Sequence, residues 1–126
     1  MGKGIATQFR AKFPMMYLEY KSLCRRRAFR PGNYMPWRDE AGGPWVYNLF
    51  TQGYENSTIQ PATLGAISQS VSEMLEHARE VGVTDIGLPR IGAGLGGLQW
   101  EEVEAELEEV LGNYPLTNLV IHTLAV

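Results

Sequence analysis

Gly92, Gly94, Gly96 and Gly97 fall within six residues, between an apolar run that ends at Pro89 and a helical pattern that begins near Gln99 and Trp100. A loop this rich in glycine reaches positive φ at several positions and has no β-carbons to hold a ligand away from its backbone N–H groups. The helix behind it adds unpaired N-terminal donors and a partial positive charge directed at the same point. With Ala93 and Leu95 completing the stretch, residues 92–97 read as a cradle for phosphate; a plain strand-to-helix connector is the competing reading. Gly2 and Gly4, flanking Lys3 ahead of Ile5, repeat the arrangement at the start of the first helical pattern. Two facing loops would suit a diphosphate better than a single phosphate.

Other side chains with chemical potential stand more isolated. His77 falls beside the apolar stripe of a helical pattern with no carboxylate or cysteine spaced to share a metal, and suits a half-buried place better than catalysis. His122, in the last apolar run, is balanced between packing and ligand contact. Cys24 shares a stripe with Tyr20 and reads as core. Asp85 precedes an apolar run and suits a turn cap. Tyr54 and Asn56 read either as a lid or as an ordinary surface loop. Arg90 suits a phosphate or an ion pair with Asp85 or Glu101. No cofactor and no metal is expected.

These residues need a scaffold. Ile5, Phe9 and Phe13 recur every four residues, one face of a short helix that Pro14 ends. Met16, Tyr20, Leu23 and Cys24 line one side of a second helix. Pro31 and Gly32 then turn the chain into a strand at residues 34–37, and the polar stretch 39–43 separates it from the apolar run 45–50, so a hairpin is expected. Residues 51–60 read as a polar loop. Pro61 suits the first position of a helix whose Leu64, Ile67, Val71, Met74, Leu75 and Ala78 keep the 3.6-residue period up to Gly82. Residues 86–89 make a short buried strand leading into the glycines. Trp100, Val103, Leu107, Val110 and Leu111 form the buried stripe of the next helix, whose glutamates mostly face water, and residues 119–124 make the last strand. Strands alternating with helices predict an α/β fold with helices flanking a mixed sheet, where ligands gather at strand ends and helix N-termini.

At 126 residues and 44% hydrophobic, the chain suits one domain spanning 1–126. Its single cysteine forms no intramolecular disulfide, which points to a reducing, cytoplasmic setting, and no signal peptide or bilayer-spanning run is evident. The net charge of −3 hides an uneven distribution: the first thirty residues hold eight lysines and arginines against Glu19 alone. A transit peptide is disfavoured because Pro14 interrupts the pattern and Phe13 keeps step with a core stripe. Arg25, Arg26 and Arg27 suit nucleic acid or a phosphorylated partner; a solvated helix end is the more economical reading. A nucleic-acid-associated protein as a class is disfavoured by the acidic overall balance and the lack of interleaved aromatics.

Residues 1–6, then Gln8, Phe9, Phe13 and Pro14, and later residues 88–100, together resemble the macro domains, the ADP-ribose-binding α/β modules. The resemblance covers nearly the whole chain and is greatest to the branch of terminal ADP-ribose protein glycohydrolases, DNA ADP-ribosyl antitoxins and ADP-ribose 1''-phosphate phosphatase-like proteins. It implies that Gly2, Lys3, Gly4 and Ile5 lie along one side of the diphosphate and distal ribose. Gly92, Ala93, Gly94, Leu95, Gly96 and Gly97 would lie along the other, with His122, Thr123 and Leu124 walling the adenine pocket and Thr51 and Gln52 near the distal ribose. ADP-ribose or a derivative, including ADP-ribosylated protein or DNA, is the implied partner, and no membrane is. Macro domains open with a strand carrying a Gly-Asp pair and a second ending in asparagines, and neither has a counterpart here. The expectation is therefore a three-layer macro-type domain lacking its first two strands. A start placed too far downstream and a chain complete as it stands remain alternative accounts; in the latter, the edges left behind would expose unpaired backbone.

Two departures bear on chemistry. Glycohydrolases of this branch carry a lysine that attacks the anomeric carbon where this chain has Gln52, and an amide cannot replace that nucleophile. The protein glycohydrolases also place an aspartate where this chain has Gly96, whereas the Gly-Leu-Gly-Gly-Leu form is that of the antitoxins and phosphatase-like members. Thr51-Gln52 is similar to the phosphatase-like group. Two functions stay open: a hydrolase of ADP-ribose 1''-phosphate or of an ADP-ribosyl linkage, and a catalytically silent reader or sequestering module.

Overall fold

The computed structural model describes residues 5–55, 58–93 and 97–122, with Ile5, Tyr54 and Glu55 described by backbone alone. Gly2, Lys3, Gly4, Asn56, Gly94, Leu95, Gly96, Thr123 and Leu124, named above as candidates, lie outside them. In order the chain forms α1 (Ile5–Lys12), α2 (Pro14–Arg25), β1 (Tyr34–Trp37), β2 (Val46–Leu49), β3 (Tyr54–Glu55), β4 (Thr58–Ile59), α3 (Leu64–Val81), β5 (Asp85–Pro89), α4 (Trp100–Leu111) and β6 (Asn118–His122). The architecture is α/β, with both parallel and antiparallel strand pairs. The residues divide into two compact units, 1–29 with 35–48, and 30–34 with 49–126.

In the first unit, Pro14 sits at the first position of α2, where its missing N–H costs nothing, and Phe13 stands between the two helices. Phe13 meets Phe9 at 5.9 Å between ring centres and Trp37 edge-on at 5.8 Å. Met16, Met35, Trp37 and Val46 are buried. The Met16 sulfur accepts from Asn48 Nδ2 at 3.1 Å, which partners the amide among apolar neighbours. β1 pairs with β2, as the expected hairpin requires. Its turn is braced by Asp39, whose Oδ1 accepts from Ala41 N at 2.8 Å, and by Arg38, whose Nε donates to the Gly43 carbonyl at 2.9 Å. Arg25 closes α2 and Arg27 follows at φ 50°; all three consecutive arginines are exposed, where cations favour the helix's negative end.

The second unit is built on α3. Ala66, Ile67, Val71, Met74, Leu75 and Ala78 form its buried stripe, and the buried Ser70 hydroxyl donates to the Ile67 carbonyl at 3.2 Å. Pro61 is not its first residue. The helix starts at Leu64 because Thr63, extended at φ −119°, accepts from Ala66 N through its side chain and so partners a donor that Pro61 has no group to satisfy. Gly82 ends it in the left-handed conformation at φ 77°. Residues 51–60 are more than a polar loop: Tyr54 pairs with Ile59 and Glu55 with Thr58 in a two-rung antiparallel hairpin, too short to show a period in the sequence.

β5 and β6 run parallel in register from Asp85 with Asn118 to Pro89 with His122, joined through α4 as a βαβ unit requires. β5 alternates rather than being buried throughout, with Ile86 and Leu88 inward and Asp85 and Gly87 outward. Asp85 belongs to the strand and accepts from Asn118 Nδ2 at 3.1 Å instead of capping a turn. α4 buries Val103, Leu107 and Val110, while Trp100 and Leu111 at its ends are half-buried. Beyond it, the Tyr114 hydroxyl donates to Glu76 Oε2 at 3.1 Å, and Arg79, ion-paired with Glu76, lies over the phenol ring. Burial, followed by the adjacent Glu76, raises the Tyr114 pKa above the ordinary tyrosine value.

The α3 stripe carries the stability of this unit. Leu75→Ala, at a fully buried position, is expected to cost about 2–5 kcal/mol in urea unfolding, whereas Leu116→Ala, at a site 84% exposed, should change little. Equal effects would show that α3 is not the core.

Candidate functional site

The glycine loop is clasped at its base. After β5, Ile91 N donates to the Pro89 carbonyl at 2.8 Å, and Leu98 N donates to the Gly92 carbonyl at 2.9 Å, which ties the two ends of the loop together. Ala93 and Leu98 form a further β-bridge. Gly92 adopts φ 76° and Gly97 φ 84°, both in the region where a β-carbon is strained. At Gly92 there is also no space: a β-carbon would stand 2.5 Å from Ile67 Cδ1 and 3.2 Å from Leu98 Cδ1. The first glycine is therefore pressed onto α3, and the backbone follows the helix surface closely. At Gly97 the nearest atom would be Pro61 Cβ, at 4.0 Å, so this end of the loop needs glycine for its φ alone.

The loop delivers the chain to the N-terminus of α4, where Gln99 is the cap residue but makes no side-chain capping bond. Glu101 and Glu102 in the first turn favour the helix through its dipole. Arg90 supplies the nearby positive charge. Of its two readings, a phosphate or an ion pair with Asp85 or Glu101, the ion pair is not formed: its guanidinium lies 5.4 Å from the centre of the Trp100 ring, and Trp100 Nε1 donates to Glu104 Oε2 at 3.2 Å. A cation–π contact of this kind holds the guanidinium near the ring without using its N–H donors.

Thr51 and Gln52, both half-buried, approach the same region through backbone connections. Gln52 Nε2 donates to the Gln60 carbonyl at 3.1 Å, and Gln60 N donates to the Gly53 carbonyl at 2.8 Å, so the two residues close the β3–β4 hairpin. Gln60 leads directly to Pro61, which faces Gly97. The Gln52 amide is thus engaged in holding a backbone carbonyl, and its nitrogen lone pair, delocalised into the amide, is no nucleophile. Gly53 has Pro31 Cγ 2.9 Å from its would-be β-carbon.

His122 stands opposite Pro89 at the end of β6, exposed, with its ring over Gly87, where a β-carbon would lie 2.9 Å from Nε2. His77 is half-buried on α3 and meets Tyr34 edge-on at 6.1 Å, and Cys24 is half-buried on α2; neither belongs to the loop. Around the loop the structure gathers Gly92, Ala93 and Gly97 with Gln52, by way of Gln60 and Pro61, and brings in Arg90 on Trp100. Pro61 and Ile67 went unrecognised in the sequence as loop supports, because a helix stripe and a proline before a helix read only as scaffold. Among the described residues no group of three or more His, Cys, Asp or Glu could hold a metal ion, and no helix is long and apolar enough to cross a membrane.

The family model described as Macro domain matches residues 1–107. The DNA ADP-ribosyl glycohydrolase of Mycobacterium tuberculosis is 30% identical over 124 residues, 97% of this chain and 34% of the relative. The human ADP-ribose glycohydrolase OARD1 is 36% identical over 110 residues, 87% of this chain and 66% of the relative. The chain thus spans about a third of the mycobacterial protein that it matches. Among solved structures, the macrodomain of Mycobacterium tuberculosis DarG superposes with a TM-score of 0.85 at 28% identity, covering 99% of this chain and 82% of that one.

The clasp predicts a contrast between its two described glycines. Gly92→Ala should lower the melting temperature markedly, since it combines strained φ with a collision, whereas Gly97→Ala should cost only about 1–2 kcal/mol of backbone strain. Combining Gly92→Ala with Ile67→Val, which removes the Cδ1 atom, should recover part of the loss. No recovery would mean that Ile67 is not the obstacle.

Proposed function

Because the chain belongs to the Macro domain family, we propose that it binds ADP-ribose or an ADP-ribose derivative, free or carried on protein or DNA. The observation that carries this reading is the clasped loop at the head of α4, with positive φ at Gly92 and Gly97 and backbone pressed close to its support. In it, the N–H groups of residues 92–97 and the first turn of α4 receive the diphosphate, and the Arg90 guanidinium adds long-range attraction for an anion. His122 and Thr123 with Leu124 wall the adenine, and Thr51 and Gln52 face the distal ribose. Gly2, Lys3, Gly4 and Ile5 join the ligand-binding set through the first glycine motif.

The chemistry follows from Gln52. An amide that already donates to the Gln60 carbonyl supports a reader of ADP-ribose rather than a glycohydrolase working through a lysine nucleophile. The Thr51-Gln52 pair favours one further reading, hydrolysis of ADP-ribose 1''-phosphate, which release of inorganic phosphate on incubation with that compound would reveal.

Titration calorimetry should show ADP-ribose bound far more tightly than AMP, and a hundredfold excess over Kd should add about 2.7 kcal/mol to stability. Gly94→Glu, bringing bulk and negative charge to the loop, should abolish binding in a folded protein. Equal affinity for AMP, or an unaffected Gly94→Glu variant, would sink the loop model.

Wild-type protein should release no ADP-ribose from modified protein or DNA when followed by chromatography. Gln52→Lys replaces the bond to Gln60, at a cost of about 0.5–1.5 kcal/mol, and restores an amine that can attack once partly deprotonated. Robust wild-type release that is insensitive to Gln52 would overturn this account of the site.

A further inference from the structure

Among the described residues β5 and β6 pair only with each other, and their two outer edges differ in kind. That of β5 carries Asp85, Gly87 and Pro89, a charge, a residue without a side chain and a missing donor, all of which blunt an edge. That of β6, Asn118–His122, has no proline, no glycine and no Lys, Arg, Asp or Glu. The ladder also fixes which backbone groups of β6 are left over. Asn118 N donates to the Thr84 carbonyl at 2.7 Å, so in the alternation of a parallel pair Asn118, Val120 and His122 bond toward β5. The N–H and C=O groups of Leu119 and Ile121 point the other way, and among the described residues nothing pairs with them. The side chains of Leu119 and Ile121 share a face with the buried Ile86 and Leu88 yet are only half-buried, so the core is thinly covered along this side. Val120, on the opposite face, is 49% exposed. Asn118 bonds to Asp85 and the His122 ring lies over Gly87, so both lean toward β5 and leave the outer edge of β6 unshielded.

We infer that the outer edge of β6 pairs antiparallel with the same edge of a second copy of this chain, about a twofold axis at Val120. The choice of partner rests on self-complementarity. In an antiparallel ladder, opposed residues that exchange both hydrogen bonds alternate with opposed residues that exchange none. Setting Val120 against Val120 of the second copy places Leu119 opposite Ile121 of that copy, and Ile121 opposite its Leu119, so every outward N–H and C=O meets a partner. A slip of one residue on one strand would oppose outward groups to groups already bonded to β5. The same register makes the two exposed valines a non-hydrogen-bonded pair, whose Cα atoms stand about 4.5 Å apart and whose branched side chains touch. Asn118 then faces His122 of the second copy, and no like charges oppose each other. An isologous contact of this kind closes on itself, and the joined sheet ends at both sides on β5, where Asp85 and Pro89 oppose further addition. The contact is a single short strand pair, so the dimer is weak and dissociates on dilution. This inference goes beyond ADP-ribose binding and does not depend on it.

Sedimentation equilibrium of the whole chain over a concentration series should show a monomer–dimer equilibrium. Val120→Lys, at an exposed position, should weaken association by about tenfold, because like charges then oppose each other across the twofold, and Val120→Glu should do the same. Mixing the two variants should restore association, since lysine then faces glutamate. Val120→Thr, branched and neutral, should still dimerise. Hydrogen exchange in the wild-type protein reads the backbone directly: the Leu119 and Ile121 amides should exchange fast in dilute protein and slow as the dimer fills, while the Val120 amide, bonded toward β5, stays slow throughout. A monomer at every concentration, a dimer indifferent to Val120→Lys, no association in the mixture of Lys and Glu variants, or Leu119 and Ile121 amides already slow in the dilute monomer would each overturn the proposal.

Discussion

The close approach of Gly92 to Ile67 is the contact on which the loop depends. With a hydrogen in place of a β-carbon, the backbone reaches the side of α3, and Leu98 can return to close the turn on the Gly92 carbonyl. Interior packing is dense enough that one methyl group cannot be absorbed without movement elsewhere. The base of the loop is therefore held by the same residues that hold the core, and its geometry and the stability of the unit draw on one set of contacts. Ile67 illustrates this: it is a core residue by burial and a loop support by position.

The same economy shows in the polar groups. Gln52, Gln60 and Gly53 close a small hairpin whose end leads to Pro61 and so to Gly97. Arg90 is oriented by Trp100, a residue that also begins α4. Neither arrangement uses a buried charge, so neither incurs the desolvation cost of a buried ion pair. What results, among the described residues, is a loop base held by backbone hydrogen bonds with one guanidinium nearby.

Much of this was legible in the sequence because it rests on local rules. The α3 stripe, the Gly82 stop, β1, the strand before the glycines and the start of α4 near Trp100 all followed from period and punctuation. The failures have specific causes. The start of α3 went to Pro61 because a proline is conspicuous, whereas the hydroxyl bond from Thr63 that decides the matter is a contact three residues long. The β3–β4 hairpin has too few residues to alternate visibly. The Arg90–Trp100 contact joins residues on either side of the glycines, ten positions apart in the chain. The aromatic partners of Arg10 and Lys21 lie on the following helix or a turn away, so a linear scan for alternating basic and aromatic residues passes over them.

The parallel pairing of β5 with β6 also sets an order of assembly. β5 and the glycine loop are made before α4, and β6 comes only after it, so on a ribosome β5 emerges without the strand that will lie beside it. The contacts from Asp85 to Asn118 must close a long segment, which slows pairing relative to the helices formed within it. During translation, α3 and α4 can condense first, and β5 gains its partner strand only once residues 118–122 have cleared the exit tunnel.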